Sequence, residues 1–131
     1  MSIFYTDGSA NNLNPEDRNA RYIVVDENGK PILRENIGNK TSNQAEYEGM
    51  IACLKYIEQN NLHSVIIYSD STIIVNQTNA TWRIKESSPL LSEGLRAREL
   101  YTNLCFGEPE LLLNGYRESK IRLDFILIVD K

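Results

Sequence analysis

A chain of 131 residues suits one compact domain, and its 41% hydrophobic and 24% charged residues are an ordinary globular balance that excludes disorder. The 14 Lys and Arg against 18 Asp and Glu leave a net charge of -4, so bulk charge does not mark a nucleic-acid binder. Local basic patches and cation-neutralised acidic clusters stay open. No charged-then-apolar leader pattern stands at the N-terminus and no apolar run is long enough to span a bilayer, so a cytoplasmic chain without a membrane role is expected. Cys53 and Cys105 lack ligand-like spacing and are expected as buried free thiols.

In chain order, Ile3 to Ser9 reads as a strand, with Ile3, Tyr5 and Asp7 on one face and Phe4, Thr6 and Gly8 on the other. A polar loop over 11–19 leads to a second strand, Arg21 to Asp26. Asn28-Gly29 signals a hairpin of type I′, returning as Pro31 to Ile37. Ser42 or Asn43 then caps a helix running to about Asn60. On it Glu46, Met50, Cys53 and Ile57 share one stripe. Val65-Ile66-Ile67-Tyr68 is a continuous apolar strand ending at Ser69-Asp70, as in a strand covered on both faces. A short helix over Thr72 to Asn79 follows, capped by Asp70 or Ser71. Another helix begins after Ser87 or Ser88 with Pro89 in its first turn, and Leu90, Gly94, Ala97, Leu100 and Tyr101 form its more apolar side. Glu110 to Leu113 reads as the last strand, 114–122 as a loop, and Leu123 to Val129 as a short final helix.

A hairpin pair followed by alternating helices and strands predicts one mixed sheet with helices packed on it, in a single domain over 1–131. Ligands in such sheets collect at the carboxyl ends of parallel strands. Asp7 and Asp70 end strands, and Glu46 lies on a core-facing helix stripe, where an ionised carboxylate is costly unless compensated. Three converging acids repel, so protons or cations must sit among them. All-oxygen ligands favour Mg²⁺ or Mn²⁺, and a single His63 with no Cys pair argues against zinc. Two such ions about 4 Å apart are suited to phosphodiester hydrolysis without a Ser or Cys nucleophile.

Three motifs then stand in register: Tyr5-Thr6-Asp7-Gly8-Ser9, Thr41-Ser42-Asn43-Gln44-Ala45-Glu46 and Tyr68-Ser69-Asp70-Ser71. With them the chain resembles type 1 ribonuclease H. The resemblance implies an α/β ribonuclease H-like fold: a five-stranded mixed sheet, antiparallel β1-β2-β3 and then β4 and β5, with helices on both faces. It implies an endoribonuclease that hydrolyses the RNA strand of RNA/DNA hybrids with two Mg²⁺ or Mn²⁺ ions, leaving 5′-phosphate and 3′-hydroxyl ends. Asp7, Glu46, Asp70 and Asp124 would be its catalytic metal ligands, Asp124 because it follows Arg117-Glu118 at a matching distance. Neither an organic cofactor nor an oligomer is implied.

By the same resemblance Gly8, Ser9, Thr41, Ser42, Asn43, Gln44, Trp82, Arg83, Lys85 and Arg117 would contact substrate. Small polar side chains and free N–H groups at a helix start suit phosphate and 2′-hydroxyl groups. Asn114 to Lys131 departs from the family's pattern, the mobile His of many members has no counterpart, and the segment after Trp82 lacks the long basic insertion. The competing reading is a weak or inactive hybrid-binding module of the same fold.

Overall fold

The computed structural model describes residues 1–106, 109–111, 117–119 and 125–130. Strands β1 (Ser2–Ser9), β2 (Ala20–Asp26) and β3 (Pro31–Gly38) form an antiparallel meander. Helix α1 (Ser42–Gln59) leads into β4 (Ser64–Ser69), which returns parallel to β1, and α2 (Thr72–Thr78) and α3 (Leu91–Phe106) follow. Strands β5 (Pro109–Leu111) and β6 (Arg117–Ser119) pair only with each other, and β7 (Phe125–Asp130) runs parallel to β4. The main sheet therefore has five strands in the order β3-β2-β1-β4-β7, mixed as expected.

The fifth strand is not Glu110 to Leu113 but Phe125–Asp130, where the sequence reading placed a helix. A short apolar run carries no period that separates strand from helix. Here Ile126, Ile128 and Val129 are β-branched, and the free edge of β4 offers unpaired backbone groups that only a strand can satisfy. Another difference lies in the hairpin. Gly29 has φ +78° but Asn28 does not enter the left-handed region, so the turn is not type I′. Asp26 instead closes a three-residue loop: its N–H donates to the Lys30 carbonyl at 2.9 Å and its Oδ1 accepts from the N–H groups of Asn28 and Lys30.

The core forms where alternation dictates. Phe4 and Thr6, Tyr22 and Val24, Val65 and Ile67, and Ile126 and Ile128 are buried, and the register places all of them on one face. Helix α1 lies on that face through Met50, Cys53, Leu54 and Ile57, and α2 and α3 join the same cluster through Ile74, Val75, Ala97 and Leu104. Among the described residues the helices thus cover one face rather than both. The other face carries Ile3, Tyr5, Ile23, Val25, Ile66 and Tyr68, all half-buried, with Tyr5 stacked on its register partner Tyr68 at 5.2 Å. Cys53 is buried and Cys105 half-buried, and neither is in a disulfide.

The connection from α2 to α3 is pinned from one side chain. Arg98 donates from Nε to the Gln77 carbonyl at 3.0 Å and from an Nη to the Trp82 carbonyl at 2.8 Å. Trp82 itself is 44% exposed, so it is not a core aromatic.

Candidate functional site

Parallel pairing of β1 with β4 matches Thr6 to Ser69, so Asp7 and Asp70 are the next residues along each strand and end side by side. Glu46 arrives from α1. Its approach depends on Gly8, where a Cβ would lie 2.4 Å from the Glu46 nitrogen and 2.5 Å from the Ala45 carbonyl carbon. Strand and helix therefore meet backbone to backbone, and no other residue fits at Gly8. The result is a cluster in which Asp7, Glu46 and Asp70 each offer a carboxylate oxygen, all within 4.8 Å of one another.

The electrostatics are those of a site built for positive charge. Burial pushes the Glu46 carboxyl up from 4.5 to about 7, the charges of Asp7 and Asp70 push it the same way, and the Gly8 N–H opposes them. Glu46 Oε2 is buried without a hydrogen-bond partner. Asp7 and Asp70 are exposed and leave the cluster open to solvent. A divalent cation fits this donor set: three hard carboxylate oxygens, one of them otherwise orphaned, with room for substrate oxygens.

A carboxyl whose folded value is raised to about 7 holds its proton more tightly in the folded chain than in the unfolded one. Metal-free protein should therefore lose stability as pH rises from about 4.5 through about 7. Thermal unfolding in chelator across that range should show this fall, and millimolar Mg²⁺ should reverse it at the upper end. Glu46→Gln should flatten it; a variant that keeps the full slope would place the titrating group elsewhere.

The helix start is capped by neither Ser42 nor Asn43. Thr41 is the N-cap: its Oγ1 accepts from the Gln44 N–H at 3.2 Å, and Gln44 Oε1 accepts from the Thr41 N–H at 2.9 Å. This capping box occupies two of the four polar side chains expected to meet substrate. Ser42 is tied to the 10–12 loop, accepting from Asn12 Nδ2 at 2.9 Å, while Asn43 is exposed. The four residues nevertheless share one hollow of about 430 Å³ with Arg18 and Leu90. Ser71 caps α2, accepting from the Ile74 N–H at 3.4 Å, which leaves Asp70 unengaged by the helix.

The other predicted site residues divide. Gly8 and Ser9 line a hollow of about 400 Å³ together with Asp7. Trp82, Arg83 and Lys85 are exposed in the α2–α3 connection and line neither of the hollows that contain Asp7. Arg117 opens β6. Asp124 lies outside the described residues. Asp130 escaped the sequence reading although it closes an apolar run as Asp70 does. It ends β7 opposite Ser69, on the helix-covered face, and its Oδ2 accepts from Thr72 Oγ1 at 2.7 Å, tying β7 to α2.

Known proteins share this fold. Ribonuclease HI of Halobacterium salinarum is 29% identical over 100 residues, 75% of this chain and 49% of that protein, so the chain spans about half the length of this curated relative. The crystal structure of RNase H1 from the same archaeon superposes with a TM-score of 0.59 at 27% identity, covering 77% of this chain and 76% of that one. LC11-RNase H1, solved in complex with an RNA/DNA hybrid, shares the fold at a TM-score of 0.63 and 24% identity over 98% of this chain and 83% of that one. The RNase H family model matches residues 1–106, the span from β1 through α3 that supplies all three clustered acids, and the chain belongs to the RNase H family.

Proposed function

We propose that this chain is an endoribonuclease that hydrolyses the RNA strand of RNA/DNA hybrids with Mg²⁺ or Mn²⁺, two per site, leaving 5′-phosphate and 3′-hydroxyl ends. The observation that carries the reading is the convergence of Asp7, Glu46 and Asp70, with a buried Glu46 oxygen that lacks any partner. Membership of the family and the hybrid bound by LC11-RNase H1 support the choice of substrate.

Two divalent cations, when bound, supply positive charge to the attacking and leaving oxygens of a phosphodiester. Asp7 and Asp70 hold the exposed side of that site and keep it open to a polynucleotide. Glu46 anchors the buried side. Ser42 and Asn43, left at the α1 start beside the capping box, are placed to meet phosphate and 2′-hydroxyl groups, which distinguish RNA from DNA. Trp82, Arg83, Lys85 and Arg117 belong to the same proposal as contacts of the hybrid backbone. Action as a monomeric domain over 1–131, in the cytoplasm, is part of it as well; among the described residues no helix is long and apolar enough to cross a membrane.

The test is cleavage of an end-labelled hybrid with Mg²⁺, with Mn²⁺ and with chelator, beside single-stranded and double-stranded RNA. Metal-dependent cutting of the RNA strand of the hybrid alone is expected. Folded protein that binds hybrid without cutting it under either metal would mark a binding module. An Asp124→Asn arm tests the fourth acid: loss of cutting would assign it to the site, and retained cutting would restrict the ligands to the clustered three.

A further inference from the structure

The hollow beside the carboxylates has a wall of opposite sign. Register sets Ser9 against Arg21, Asp7 against Ile23, Ile23 against Arg34, and Arg21 against Asn36. These side chains therefore share one face of the sheet, and they line the hollow of about 400 Å³ that contains Asp7. Arg21 and Arg34 are diagonal neighbours across β2 and β3, both exposed. Like charges so placed repel. The acid nearest in sequence does not relieve them: Glu35 points to the opposite face, where its Oε2 accepts from the Tyr22 hydroxyl at 2.7 Å. Among the described residues neither guanidinium is ion-paired.

The positive wall is also continuous with the predicted substrate groove. From Arg21 the surface passes Ser9 and Asn19 to Arg18, and Arg18 borders the hollow at Thr41 to Gln44. On a chain of net charge -4, three arginines thus line a path from the α1 start to the carboxylates.

We propose that Arg21 and Arg34 form a phosphate cleft. It takes a backbone phosphate of the cleaved strand, one or two linkages from the diester at Asp7, Glu46 and Asp70. This rests on the hybrid-nuclease reading above. Adjacent strands are about 4.8 Å apart, so Arg34, in register with Asp7 through Ile23, stands two strand spacings away, and Arg21 stands one spacing across and two residues along. Guanidinium forks bind phosphate oxygens in pairs, and a phosphodiester anion between the two arginines removes their repulsion. Ser9 and Asn36 add neutral donors at the rim. The cleft positions the strand; it does not touch the reacting atoms.

The test is hybrid cleavage over a range of salt by Arg21→Gln, Arg34→Gln and the double variant, with Lys55→Gln on the exposed side of α1 as a charge control. In the double variant KM should rise about tenfold, kcat should stay within about twofold, and the slope of log KM against log salt should fall by one to two phosphate contacts. Arg21→Lys with Arg34→Lys should restore the salt slope and only part of KM, because a point charge replaces the fork. A double Gln variant that matches Lys55→Gln in KM and salt slope overturns the cleft while leaving the nuclease reading intact. So does one that loses kcat alone. Wild-type protein that neither cuts nor binds hybrid overturns both.

Discussion

Asp7→Asn, Asp70→Asn and Glu46→Gln should each lower metal-dependent hydrolysis by about a thousandfold or more, equivalent to about 4 kcal/mol of transition-state stabilisation. The same changes should not weaken the metal-free fold. Glu46 carries a buried oxygen with no partner and stands within a repelling cluster, so its neutral replacement should raise stability above pH 7 in chelator. Replacing Asp7 or Asp70 removes a charge that lifts Glu46, so the Glu46 carboxyl should move back toward 4.5. Loss of turnover with gain of stability separates a working site from a structural ion cluster. Single-turnover cleavage and chelated thermal melts measure the two halves. An Asp70→Asn protein that cuts at the wild-type rate would move the chemistry elsewhere.

Gly8→Ala should cost about 2–4 kcal/mol, far above the usual effect of adding one methyl group. The added carbon would meet the Glu46 nitrogen at 2.4 Å, the Ala45 carbonyl carbon at 2.5 Å and the Ala45 oxygen at 2.8 Å. None of these is a side chain that can rotate away. Relief requires α1 to lift from β1, and Glu46 travels with the helix. Denaturant titration should show the destabilisation, and hydrolysis should fall further than the residual folded fraction explains. Unchanged stability and activity would mean that the strand–helix contact yields easily.

Most of the architecture was legible because each local signal agreed with the next. Alternation, an apolar run and a stripe mark β1, β4 and α1, which hold Asp7 and Glu46 and lead directly into Asp70. Glu46 stood out in the sequence as a charge on the Met50, Cys53 and Ile57 stripe, and burial bears that out. Thr41 and Gln44 have the spacing of a capping box, but Ser42 and Asn43 are cap residues of the same type one and two places on, so residue type alone does not choose among the three. β7 was missed because its helical alternative differs only in what lies beside it, and the β4 edge is known only once the sheet is assembled. Arg21 and Arg34 are ordinary surface charges in the sequence. They become a pair through the β2–β3 register, which composition does not encode.

Trp82 is the chain's one tryptophan, and it is half-exposed on a connection whose carbonyl Arg98 holds. The protein therefore carries a built-in optical probe at one defined place. Its emission reports the α2–α3 connection rather than the core, and a soluble quencher reaches it in the folded state. Titrating hybrid into a cutting-deficient variant and following that emission would read directly whether the strand passes over this connection. The same titration with iodide would give the fraction of indole that the nucleic acid shields.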